Sequence, residues 1–276
     1  DSRGGYVNLR PAIRKPLRSR LLLFKHSADR IPVLCILALT ALDFALFFFV
    51  ENITLLFCYF LLMIIPKGHI CAWNHHHQHT PTFRLKPLNR LLEFFYALHT
   101  GVTTNLWLLH HVYGHHLNFL DQTKDESRWA RDDGSKMGEI EYTLVVALTA
   151  YPRGLEVGKR YPKERNAFVA YSILTFAAVI TLILFKPLAG LLLFATPMVI
   201  GLLLTAWATY EHHSGLNVDN EFEASFNKLN KWYNLFTGNL GYHTAHHHRG
   251  GLHWSKLPTL HAQIQDRIPA ELVRHS

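Results

Sequence analysis

The sequence predicts an all-α integral membrane protein: a bundle of four transmembrane helices carrying a cytosolic, histidine-rich helical cap that holds a di-metal site. Three observations predict it. Four apolar runs are long enough to cross a bilayer, and the charged residues are segregated to the segments around them. Fourteen of the twenty histidines fall in four clusters, too concentrated for scattered surface residues.

Residues 1–30 hold Arg3, Arg10, Arg14, Lys15, Arg18, Arg20, Lys25 and Arg30 around the apolar Leu21-Leu22-Leu23-Phe24. Such an arm is expected either to lie on an anionic membrane face or to be a solvated terminus. The chain opens on Asp1 rather than Met, so a trimmed start is expected. The first apolar run begins only at Ile31, so no cleavable signal is expected. Ile31–Val50 contains one charged residue, Asp43, and at roughly 1.5 Å rise per residue it spans a hydrocarbon core. Asp43 is expected to face a neighbouring helix or a polar cavity. Glu51-Asn52 reverses the chain, and a second span is expected over 53–73, continuing past Pro66 with a kink.

Residues 80–165 change character. Leu91, Leu92, Phe94, Phe95 and Leu98, between Arg90 and Glu93, suit a helix lying in or near the membrane interface. From Asp121 to Arg165 charge is dense, and the segment is expected to be aqueous. Two more spans follow at 166–185 and 189–210, joined by the short Lys186-Pro187-Leu188 turn. In the tail, Phe226, Leu229, Trp232, Tyr233, Leu235 and Phe236 form an apolar stripe that reads as packing. No repeat or linker interrupts the chain. Residues 1–276 therefore form one domain, its cap made of 74–165 and 211–276.

The two inter-helix turns hold a single Lys between them, while the terminal and central segments hold nearly all the remaining Lys and Arg. By the positive-inside rule, both termini and every histidine cluster face the cytoplasm, in an inner or cytoplasmic membrane. That placement accounts for the net charge of +8 without a nucleic-acid partner. With three cysteines, two of them (Cys35 and Cys58) inside apolar runs, neither a disulfide framework nor a thiolate metal site is expected.

The clusters carry the chemistry. His75 and His79 are i,i+4 neighbours, as are His111 and His115, with His116 adjacent; His243 and His247 repeat the relation with His246 between them. Such neighbours share a helix face and can grip one metal ion. With His212, which ends the fourth span, nine imidazoles are available, more than a single ion takes. Imidazole ligands alone permit iron, zinc, copper or nickel. The neighbouring His76, His77, His110, His213 and His248 are expected in supporting or solvent-facing roles. Lone His69, His99 and His261 read as surface or packing. A divalent-metal transporter or metal-binding membrane protein is the rival from another class, but it would want carboxylates within the spans, and they offer only Asp43.

These boxes, His75-x-x-x-His79, His111-x-x-x-His115-His116 and His243-x-x-His246-His247, together with the four spans, resemble the membrane fatty acid desaturase superfamily. The resemblance runs from the first span to about Pro258. Glu211-His212 and the gap within His111–His116 also resemble the membrane alkane monooxygenases. The resemblance implies a non-haem di-iron centre that uses O₂ to remove hydrogen from an unactivated C–H bond of a fatty acyl chain in lipid metabolism. Desaturation is the expected outcome, with hydroxylation or terminal-alkene-forming oxidative decarboxylation as the alternatives on the same scaffold. No catalytic residue beyond the metal centre is expected. Lys124, Arg128, Arg131, Arg153 and Arg249 are candidates to hold an anionic substrate head. The third box begins with His243, not the Gln of front-end desaturases, and the sequence carries neither a cytochrome b5 motif nor a dinucleotide fingerprint. Electrons are therefore expected from another protein, such as a ferredoxin, a rubredoxin or a reductase.

Overall fold

Each apolar run of the sequence becomes a helix. In the computed structural model, which describes residues 23–275, α1 covers Arg30–Phe49 and α2 covers Ile53–His79. Asn52 starts α2 by accepting a hydrogen bond at its side-chain oxygen from the Leu55 amide (3.1 Å). The helix continues through Pro66 and past Trp73, so that His75 and His79 lie on the same continuous helix as the span. After α3 (Lys86–Thr100) and a π-helical segment (Leu108–His116) come α4 (Glu139–Gly158), α5 (Pro162–Phe185) and α6 (Pro187–His213). Three short helices complete the cap: α7 (Lys231–Thr237), α8 (His243–His248) and α9 (Leu257–Ile264). A parallel two-residue pair, β1 (Asn227–Lys228) with β2 (Val273–Arg274), ties the tail together. The protein is thus an all-α bundle in which α1, α2, α5 and α6 have the length and composition of membrane spans.

Helix α3, whose stripe suits an interface, packs its apolar face against α2 and α6, burying Leu92, Tyr96, Ala97 and Leu98. Its polar face is accommodated there, because Glu93 meets Arg90 (2.6 Å) and His77 (3.3 Å). Two segments depart from the sequence expectation. Helix α4, expected to be wholly aqueous, buries Tyr142, Val146 and Ala147 against Ala206 and Tyr210 of α6. Its opposite face exposes Ile140, Leu144, Leu148 and Leu155. The stripe on α7 also divides, with Trp232, Leu235 and Phe236 exposed rather than packed. Of the basic arm, residues 1–22 lie outside the described residues. The part that is described pairs with the loop before α3, Lys25 donating its amide to the Thr82 carbonyl (2.9 Å).

Phe47, Leu56, Leu98, Leu193 and Phe194 fill the centre of the bundle. Beside them sits a charge pair that apolar periodicity does not reveal. Lys67 donates to both oxygens of Asp43 (2.8 and 2.9 Å) and Tyr59 donates to the same carboxylate (2.7 Å). His99, read from the sequence as surface or packing, is buried there and hydrogen-bonds Thr40 (2.9 Å). Asp43 therefore faces neighbouring helices, as its cost in hydrocarbon requires.

Candidate metal centre

The C-terminal ends of α2 and α6 come out of the bundle at the same end, and the π-helical segment and α8 close over them. Five imidazoles, from His75, His79, His111, His116 and His246, form one group in which one nitrogen of each ring lies within 4.8 Å of those of the others. His115, His213 and His247 form a second such group. The rings continue from one group to the other, His116 stacking on His247 at 4.0 Å between centroids.

Local winding explains the division. On α2, ordinary α-helical winding stacks His75 over His79, and both serve the first group. The spacing of His111 and His115 predicts a shared face as well, and their rings do stack at 5.0 Å between centroids, yet they belong to different groups. Hydrogen bonding at i→i+5 in the π-helical segment brings His111 beside His116 (3.1 Å between Nε2 atoms) and turns His115 to the second group. Gly114 permits the close approach here, since a Cβ on it would lie 2.5 Å from Glu126 Cγ. Helix α8 inserts between the groups, so its adjacent His246 and His247 point one to each.

Hydrogen bonds fix which nitrogen each ring presents. His115 donates from Nδ1 to Asp125 (2.8 and 2.9 Å), and His213 donates from Nδ1 to the Ala224 carbonyl (2.8 Å). Both therefore turn an Nε2 lone pair inward, where these atoms stand 3.3 Å apart. His243 Nε2 lies 3.0 Å from His213 Nε2. His212 differs: its Nδ1 donates to the Phe226 carbonyl (3.0 Å), and its Nε2 accepts from the Tyr233 hydroxyl (3.1 Å). Its lone pair is occupied, and its ring stacks on His243 at 3.8 Å. Thus His213, expected in support, offers the nitrogen that His212 does not.

The other supporting histidines are placed as follows. His76 donates to the Thr237 carbonyl (3.0 Å), His77 bonds Thr82 and Glu93, and His248 bonds Glu221 (3.1 Å). His110 stacks on Trp107 and has both nitrogens unpartnered. Asp125 was not legible from spacing; it is one acid in a charge-dense segment, ten residues after His115. Among the five candidate head-group residues, Lys124, Arg128 and Arg131 are engaged with Asp121, Asp132 and Glu141, and Arg153 with the Glu126 carbonyl.

The donor set fits bound metal. Burial, reinforced by the neighbouring imidazoles, holds His111, His116, His243, His246 and His247 far below the usual imidazole range, so each is neutral at neutral pH. His75 and His246 bring their Nε2 atoms to 2.8 Å, close enough for both lone pairs to reach one cation, or for one ring to donate to the other in its absence. His79 Nε2 and both nitrogens of His247 are buried without a partner among the described residues. Asp125→Asn is expected to weaken metal binding at the second group by about 10–100-fold, because His115 loses the carboxylate that orients it. Competition with a chelator measures this.

An apolar cavity of about 300 Å³ ends at the first group, its inner wall formed by His75, His111 and His243. The molecule thus combines a bundle with four helices of membrane-span length, two imidazole groups that could hold metal, and an apolar cavity leading to the first of them. The family model for fatty acid desaturases matches residues 9–276, and the chain belongs to that family. Neither a curated protein nor a solved structure matches it.

Proposed function

We propose that the protein is an O₂-dependent di-iron oxidase that desaturates a fatty acyl chain, with its histidine groups on the cytoplasmic side of the membrane. The observation carrying this reading is the pair of all-imidazole groups, the first of which stands at the inner end of an apolar cavity. His75, His79, His111, His116 and His246 would hold one iron. His115, His213 and His247, with His243 beside them, would hold the other. Bound iron supplies the means of activating O₂ to remove hydrogen from an unactivated C–H bond.

The chain's own residues do the rest. Asp125 and the Ala224 carbonyl hold His115 and His213 in one tautomer and one orientation. Cys71, Ala72 and Leu240 line the cavity and exclude water beside the reacting carbon. His212 positions His243 by stacking on it and is itself held by Tyr233. Electrons come from an external protein such as a ferredoxin, a rubredoxin or a reductase.

Mass spectrometry of a saturated acyl chain after turnover with a reducing system and O₂ tests the outcome. Loss of two hydrogens is expected. Gain of one oxygen atom would instead assign hydroxylation, and loss of the carboxylate would assign decarboxylation. Exchangeable zinc without O₂ uptake would favour a metal-handling protein and contradict the enzyme.

A further inference from the structure

The cavity has its mouth in the side of the bundle. Ile65 and His69 of α2 face Leu204 and Trp207 of α6 across it. Ile65 is 72 % exposed and Trp207 38 %, whereas Ala72, Thr209 and Leu240 further in are buried. Close to the mouth, Leu61, Leu62 and Val199 are also exposed on the same two helices. A span turns such a surface to hydrocarbon, since lipid is the solvent at that depth. The opening therefore faces acyl chains.

The lining decides what can enter. Among the described residues, no Asp, Glu, Lys or Arg lines the cavity. A charged head group inside it would be buried without a partner, at a cost that excludes it. Hydrocarbon enters and the head stays outside. On the cap side of the mouth, α7 places the Phe236 ring 5.2 Å from that of His69. Exposed Trp232 and Leu235 follow on the same helix, with Lys231 over the Trp232 ring. Aromatic and apolar side chains beside a lysine suit the depth of lipid head groups.

We propose that the acyl chain enters sideways from the bilayer, through the slot between α2 and α6, while its polar head remains at the membrane surface beside α7. The substrate is thus a lipid resident in the membrane rather than a thioester delivered through water. This rests on reading the cavity as the acyl site of the proposed oxidase. A free fatty acid and an ester lipid share the required chemistry, and a test with both separates them.

The iron-loaded protein is reconstituted in phosphatidylcholine vesicles with a mid-chain diazirine probe. The probe is carried by a phospholipid, by a free fatty acid or by a thioester added to the water. After photolysis, cross-links are mapped by peptide mass spectrometry. Ala72, Thr209 and Leu240 report entry, because bulk lipid cannot touch them. Interior labelling by either bilayer-resident probe is expected, and whichever probe labels names the carrier. Gly68→Leu is expected to abolish interior labels and keep those on Leu62, because even a Cβ at Gly68 stands 3.0 Å from Leu204 Cδ1 and a longer side chain blocks the slot. Leu204→Trp, which fills the slot from the other side, is expected to do the same. Interior labelling by the thioester alone, equal labelling by all three probes, or interior labels that survive both substitutions would overturn lateral entry. Cross-linking needs no turnover. Interior labels without oxidised product would contradict the oxidase and keep the portal, while conversion of the thioester without interior labels from lipid would do the reverse.

Discussion

His246→Ala and His115→Ala are each expected to remove one iron and to reduce turnover to background. His246 belongs to the first group and His115 to the second, so the two variants empty different halves of the centre. Each removes one nitrogen from a group and leaves the remaining buried imidazoles with an incomplete ligand set. His248 provides the contrast: although it adjoins the third box, it pairs with the half-exposed Glu221. His248→Ala is expected to keep both irons. Iron analysis and product formation, measured on the same preparations, check the three variants together. Full activity in either of the first two would remove that residue from the centre.

The second large effect concerns the bundle. Lys67→Met is expected to destabilise the protein by about 3–5 kcal/mol, because it leaves the Asp43 carboxylate buried among α1, α2 and α6 without its cation. Both side chains are nearly inaccessible, at 6 % and 1 % exposure, so solvent cannot compensate. An unfolding midpoint in detergent lowered by roughly 10 °C would express that cost. Replacing both partners, Asp43→Asn with Lys67→Met, is expected to recover much of the loss, since the uncompensated charge is then gone. A single variant as stable as the parent would show that the pair holds nothing together.

The sequence made the spans and the histidine boxes legible because both are periodic. Apolar runs fix the number and order of the spans, and i,i+4 spacing places His75 and His79 on one face. Where backbone winding changes, that reasoning stops. The same spacing at His111 and His115 fails because the segment is π-helical, and i→i+5 geometry selects His116 as the partner of His111. The choice between His212 and His213 depends on long-range contacts, Tyr233 in one case and the Ala224 carbonyl in the other, which adjacency in sequence cannot rank. Asp125 and Lys67 were hidden for a similar reason: each gains its role from one partner that helical spacing does not pick out, His115 ten residues back for Asp125 and Asp43 on another helix for Lys67. Helix α3 shows the limit of amphipathicity, because a stripe suited to an interface also packs within a bundle when its polar side finds Arg90 and His77.

Histidines from α2, α6, α8 and the π-helical segment are expected to assemble one paired-iron centre. Iron per chain, determined by elemental analysis after anaerobic loading with ferrous iron and removal of weakly held metal, tests it most directly. About two irons per chain are expected. One iron, or none under any loading condition, would contradict it.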